Sequence, residues 1–116
     1  MNKQKTGRKF HRQRDQRKAL MRSLARNLIL NEAIQTTHAK AKELRPFIEK
    51  LITKARVQNV ATLRYLRSRM DDTAMNKLVK EIAPKYVDRP GGYTRITKLT
   101  VSGRNAASHA RIEFVK

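Results

Sequence analysis

The stretch Arg26-Asn27-Leu28-Ile29-Leu30-Asn31-Glu32-Ala33-Ile34-Gln35-Thr36-Thr37 decides the fold class. Upstream of it Leu20, Leu24 and Leu28 recur every four residues, with Met21 and Ala25 beside them, which is the apolar stripe of an amphipathic helix. That period breaks at Asn31-Glu32. Ala33 to Thr36 then reads as a short strand with Ile34 as its buried residue. Thr37 is a suitable cap for a second helix, His38 to about Arg56. A lone strand between two helices needs pairing partners, so the remainder of the chain must supply them.

The second helix has Leu44, Ile48, Leu51, Ile52 and Ala55 on its inner face, with Phe47 adjacent and Lys40, Lys42, Arg45, Lys50 and Lys54 largely outside. Pro46 lacks an N–H for the carbonyl of Lys42 and crowds that turn, so the helix either kinks there or two helices meet. A third helix over about Val60 to Arg69 turns Val60, Leu63 and Leu66 inward and Arg64, Arg67 and Arg69 outward. Asp71 and Asp72 offer the next cap. Met75, Leu78, Val79 and Ile82 give the cleanest helical period in the chain, ended by Pro84, and Leu78 is expected at the centre of the core.

The last third supplies the missing strands. Asp88-Arg89-Pro90-Gly91-Gly92 is a turn by composition. Its paired glycines point to a positive φ or to close approach of the backbone to a ligand. Tyr93 to Val101 is rich in Thr, Ile, Tyr and Val. After a turn at Ser102 to Asn105, Ala110, Ile112 and Phe114 alternate with Arg111, Glu113 and Val115. The two strands form a hairpin that the strand at Ile34 extends to three. The expected fold is α+β, with helices packed on a small three-stranded sheet.

Charge decides what the fold serves. Among 116 residues, 28 Lys and Arg face 9 acidic residues, a net charge of +19. A compact monomer with that charge repels itself, so its usual partner is polyanionic. Nucleic acid is the first candidate, since each Lys or Arg placed on a phosphate releases counterions. An anionic membrane surface and an acidic protein follow. Residues 1–14 have six of the cations and no acid, with Phe10 as the one large apolar residue after Met1, so they read as a basic extension that is disordered until RNA neutralises it. Residues 15–116 form the single domain, its first helix capped near Asp15.

Other classes are disfavoured. The absence of Cys removes disulfides, cysteine-ligated zinc and thiol chemistry, and fits a reducing compartment. No apolar run is long enough to span a bilayer, and Arg22 and Arg26 interrupt the one candidate for a secretory signal. An organellar transit peptide would explain the N-terminus but not basic character that continues far beyond it. His11, His38 and His109 are scattered without metal-ligand spacing. The serines have no nucleophile-elbow context. Gly91-Gly92 neither follows a strand nor opens a helix, so it is no nucleotide fingerprint. No catalytic residue, metal or cofactor is expected. Six aromatic residues are too few for an aromatic-rich RNA-recognition sheet, which favours phosphate and shape contacts over base reading.

The run from Arg26 to Thr37, continued by Ala39-Lys40-Ala41-Lys42-Glu43-Leu44-Arg45-Pro46 and Leu51-Ile52-Thr53, resembles the bacterial large-subunit ribosomal protein seventeen family. Ile82-Ala83-Pro84-Lys85-Tyr86 and Asp88-Arg89-Pro90-Gly91-Gly92-Tyr93-Thr94-Arg95-Ile96 resemble it in the same order, as do Gly7-Arg8-Lys9 and Arg17-Lys18-Ala19-Leu20. Asn2 to Gln4 and Val57 to Thr62 depart from the pattern. The resemblance implies a small mixed sheet, so that the expected fold is helices packed on a small mixed three-stranded sheet. It also implies a basic N-terminal extension reaching into large-subunit ribosomal RNA, a place on the subunit's outer surface around the tunnel exit, and neighbouring ribosomal proteins as further partners. It implies no catalytic residue, no small-molecule substrate and no membrane, and a cytoplasmic location in the ribosome. The candidate RNA contacts are Lys3, Lys5, Arg8, Lys9, Arg12 and Arg14 in the extension and Arg17, Lys18, Arg22 and Arg26 on the first helix. To these are added Lys40, Lys42 and Arg45 on the second helix, and Arg89, Gly91, Gly92, Tyr93 and Arg95 at the turn.

Overall fold

A computed structural model of the chain describes residues 2–99 and 108–116, with side chains from residue 13 onward. Helix α1 spans Asn2–Asn31. The expected start at Asp15 therefore lies inside it. Lys, Arg and Gln lose little rotamer freedom in a helix, so a segment too polar to pack can still take helical backbone. The side chains of Lys3, Lys5, Arg8, Lys9 and Arg12 lie outside the described residues. The helix ends where expected: Glu32 turns left-handed at φ 66°, and its N–H reaches the Leu28 carbonyl at 2.6 Å.

Strand β1 (Ala33–Thr37) leads into α2 (His38–Val57), where the Thr37 hydroxyl accepts from the Lys40 N–H at 3.2 Å. One helix runs through Pro46, so the two-helix alternative does not hold. Helix α3 (Val60–Arg67) opens on a capping box in which Asn59 Oδ1 accepts from the Thr62 N–H and Thr62 Oγ1 from the Asn59 N–H. Asp71 caps α4 (Asp72–Lys77), its Oδ1 accepting from the Ala74 N–H at 3.0 Å. A π-helical turn, Leu78–Ile82, follows, and then a 3-10 turn, Ala83–Tyr86. Pro84 thus does not stop the chain's helical course. It sits in the first turn of the tighter helix, where a missing N–H costs nothing.

Among the described residues β1, β2 (Thr94–Leu99) and β3 (His109–Phe114) form one sheet in the order β1-β3-β2. Both pairings are antiparallel, which corrects the expected mixed sheet. β1 and β2 run in the same direction, but β3 separates them, so no parallel pair forms. Ile34 and Ile96 flank Ile112 in register, and Ile112 is fully buried. The expected turn at Ser102 to Asn105, and Thr100 and Val101 of the strand before it, lie outside the described residues.

The core joins Ala25, Leu28 and Ile29 of α1 to the inner stripe of α2 and to Leu66, Leu78, Ile82 and Tyr93. Two expected core positions are outside it. Val60, at the first turn of α3, is 71% exposed, and Thr62 takes the buried place instead. Leu20 is 37% exposed, because the packed stripe of α1 begins just after it, at Met21, and is fully buried only from Ala25.

Candidate nucleic-acid interface

Arg14, Lys18, Arg22 and Arg26 stand four residues apart on α1, so a rise of about 1.5 Å per residue spaces them roughly 6 Å apart along its axis. These positions, and Arg17, are exposed, while Ala25, Leu28 and Ile29 hold the helix to the core. The cationic ridge borders two open clefts. The first, of about 660 Å³, runs from Arg14, Arg17, Lys18 and Arg22 across Phe47 and Lys50 of α2 to Tyr65 and Arg69. The second, of about 400 Å³, continues between Arg22 and Arg26 on one side and residues 67–71 on the other. Arg22, Ser68 and Arg69 border both, so the clefts form one track along α1. Glu43 in the first and Asp71 in the second are the acidic groups on these walls.

The far wall is built on an aromatic ring. The Arg69 guanidinium carbon lies 3.6 Å from the centroid of Tyr65, and Lys54 and Lys50 place their ammonium groups at 5.2 and 5.9 Å. Arg69 Nη1 donates to Ser68 Oγ at 2.7 Å, and Ser68 Oγ donates to the Tyr65 carbonyl at 2.7 Å. The quadrupole of the ring attracts all three cations, of which Lys50 and Arg69 line the cleft. Lys50, Tyr65, Arg67 and Arg69 are absent from the sequence-based contacts. The available signal was the four-residue spacing of Tyr65, on α3, and Arg69, just past its end.

Arg26 is also tied down. Its Nε donates to Asp71 Oδ2 at 2.8 Å, and that bond, followed by the Ala74 N–H on the same carboxylate, holds the Asp71 pKa below its ordinary value.

The candidates at the turn form a separate surface and line neither cleft. Glu49 of α2 anchors it: Oε1 accepts from the Gly92 N–H at 3.0 Å, and Oε2 from the N–H and hydroxyl of Thr94 at 2.9 and 2.8 Å. Gly92 has φ +67°, as the paired glycines suggested, whereas Gly91 has none of that constraint, and a Cβ on either would meet nothing within 4 Å. Tyr93 is a correction to the candidate contacts. It is fully buried, its ring 5.2 Å from that of Tyr86, and its hydroxyl accepts from Arg56 Nη1 at 2.7 Å. Arg56 Nη2 donates to the Val87 carbonyl at 2.8 Å, so this pair braces the turn from inside. Arg89 is exposed; Arg95 is exposed but paired with Glu113 at 2.8 Å. Arg95 and then Arg111 hold the Glu113 pKa down. Lys40, Lys42 and Arg45 are exposed on the outer side of α2.

Among the described residues no cluster of three or more His, Asp or Glu could hold a metal ion, and no helix is long and apolar enough to cross a membrane. The sequence model described as "Ribosomal protein L17" matches residues 20–115. A protein of Gemmatimonas aurantiaca named "Large ribosomal subunit protein bL17" is 47% identical over 116 residues, covering 99% of this chain and 98% of its own. A protein of the same name from Persephonella marina is 50% identical over 110 residues, covering 92% of this chain and 89% of its own.

Proposed function

The chain belongs to the ribosomal protein L17 family, and from that membership we propose that it binds large-subunit ribosomal RNA through phosphate and shape contacts. It is a structural constituent of the large subunit in the bacterial cytoplasmic ribosome, not an enzyme. The observation that supports the RNA reading is the track along α1, where Arg14, Lys18, Arg22 and Arg26 border two adjoining clefts whose opposite wall presents Arg69. Such a ridge follows a phosphate backbone without reading its sequence. The six cations of residues 1–14 add to the charge available for phosphates, and the turn carrying Arg89 and Gly92 offers a second RNA contact. Neighbouring large-subunit ribosomal proteins are the other partners, with no membrane or small-molecule substrate.

The test is competition. A labelled complex of the full chain with large-subunit ribosomal RNA is challenged with unlabelled RNA, duplex DNA or anionic vesicles. Displacement by RNA alone, at concentrations where DNA and vesicles compete weakly, is the expected result. Equal displacement by duplex DNA, or transfer of the chain to vesicles, overturns the reading.

A further inference from the structure

We propose that the cleft between α1, α2 and α3 receives a single unpaired nucleotide of the bound RNA, whose base stacks on the Arg69 guanidinium. The proposal rests on the RNA-binding reading above and specifies what one part of that surface recognises. A ridge for phosphates needs only cations on an open face. Here there is also a recess of about 660 Å³ with Met21, Phe47 and Tyr65 in its walls, an apolar lining that a ridge for phosphates does not need. Arg69 is not a loose surface arginine. Tyr65 supports its plane at 3.6 Å, and Ser68 Oγ accepts one of its N–H groups at 2.7 Å, so the guanidinium is positioned before any ligand arrives. A base on its outer side would complete a sandwich of ring, guanidinium and base. Guanidinium planes and aromatic rings are the surfaces on which proteins stack splayed-out bases. Lys18 and Arg22 on the opposite wall, and Lys50 beside Tyr65, would take the flanking phosphates. A lysine at 69 could keep the charge but not the plane.

The experiment compares two RNA hairpins bound by the full chain, one fully paired and one with a single bulged 2-aminopurine. The bulged hairpin is expected to bind about five- to 150-fold more tightly, the fold-change equivalent to stacking one base, with quenching of the 2-aminopurine. Arg69→Lys and Tyr65→Leu should abolish the preference and the quenching, so that each variant binds the two hairpins equally. Tyr65→Phe should keep both. Equal affinity of the unaltered chain for both hairpins, or a preference that survives Arg69→Lys, overturns the proposal and leaves the RNA-binding reading intact. Failure to bind either hairpin overturns it together with that reading. The wild-type comparison needs no variant to fold.

Discussion

Arg26 on α1 donates to the same Asp71 carboxylate that caps α4, so one side chain joins a helix of the cationic track to the start of the helix beside it. The two residues are 45 apart in sequence. Both remain nearly half exposed, at 47% and 45%, so solvent screens the pair and its contribution is below about 1 kcal/mol.

That pairing has a pH signature. A carboxylate whose pKa is lowered on folding stabilises the fold above the ordinary carboxylate value of 3.8 and loses the contribution as pH falls through the lower folded value. Asp71→Asn keeps an amide oxygen for the cap but removes the titrating charge. Thermal melts of the variant and the parent should differ at pH 6 and converge as pH falls from 3.8 through the lower folded value. A difference that persists undiminished in acid would assign the effect to something other than this ion pair.

Leu78 is completely buried at the start of the π-helical turn, among Ile82, Leu28 and the stripe of α2. Leu78→Ala should cost roughly 2–5 kcal/mol, read from urea unfolding with an unchanged m-value. A loss well under about 1 kcal/mol would mean that the surroundings close the gap, or that the residue lies outside the core in solution.

The two glycines of the turn should part company. Gly92→Ala places a Cβ at φ +67° and should cost about 1–2 kcal/mol, whereas Gly91→Ala should change stability by less than about 0.5 kcal/mol. Among the described residues, a Cβ at 91 would meet nothing within 4 Å. Impaired incorporation of Gly91→Val into the large subunit, at unchanged stability, would therefore locate RNA against that backbone. Normal incorporation would make Gly91 an ordinary loop residue.

RNA affinity should fall by orders of magnitude between low and moderate salt if about six to ten phosphates are neutralised. Replacing Arg17, Lys18 or Arg22 singly by Ala should lower the salt slope by about one each. Deletion of residues 2–14, which contain six cations, should lower it further while leaving the thermal midpoint almost unchanged. A flat binding constant across that range would remove the electrostatic account. A fall in thermal midpoint with the deletion would show that the extension belongs to the folded domain.

Local chemistry made much of this protein legible in its sequence. Leu44, Ile48, Leu51 and Ile52 are apolar at helical spacing, and burying them fixes the inner face of α2 wherever the helix lies. Thr37 and Asp71 cap because a short side-chain oxygen satisfies an N–H three residues on, a relation contained within one turn. The excess of cations implied a polyanion before any fold was known. The tertiary structure decided what depends on residues far apart in the chain. Placing β3 between β1 and β2 made the sheet wholly antiparallel. Tyr93 lies in a motif of exposed, basic character but is buried, because Thr53 and Arg56 of α2 supply partners for its hydroxyl some forty residues away. Tyr65 and Arg69 became a wall of the cationic track only because α3 packs near α1 and α2, closing a recess that no periodicity encodes. Patterning along a helix specifies which face is buried; the neighbour that covers it, and the cleft left where coverage stops, follow from how the helices pack together.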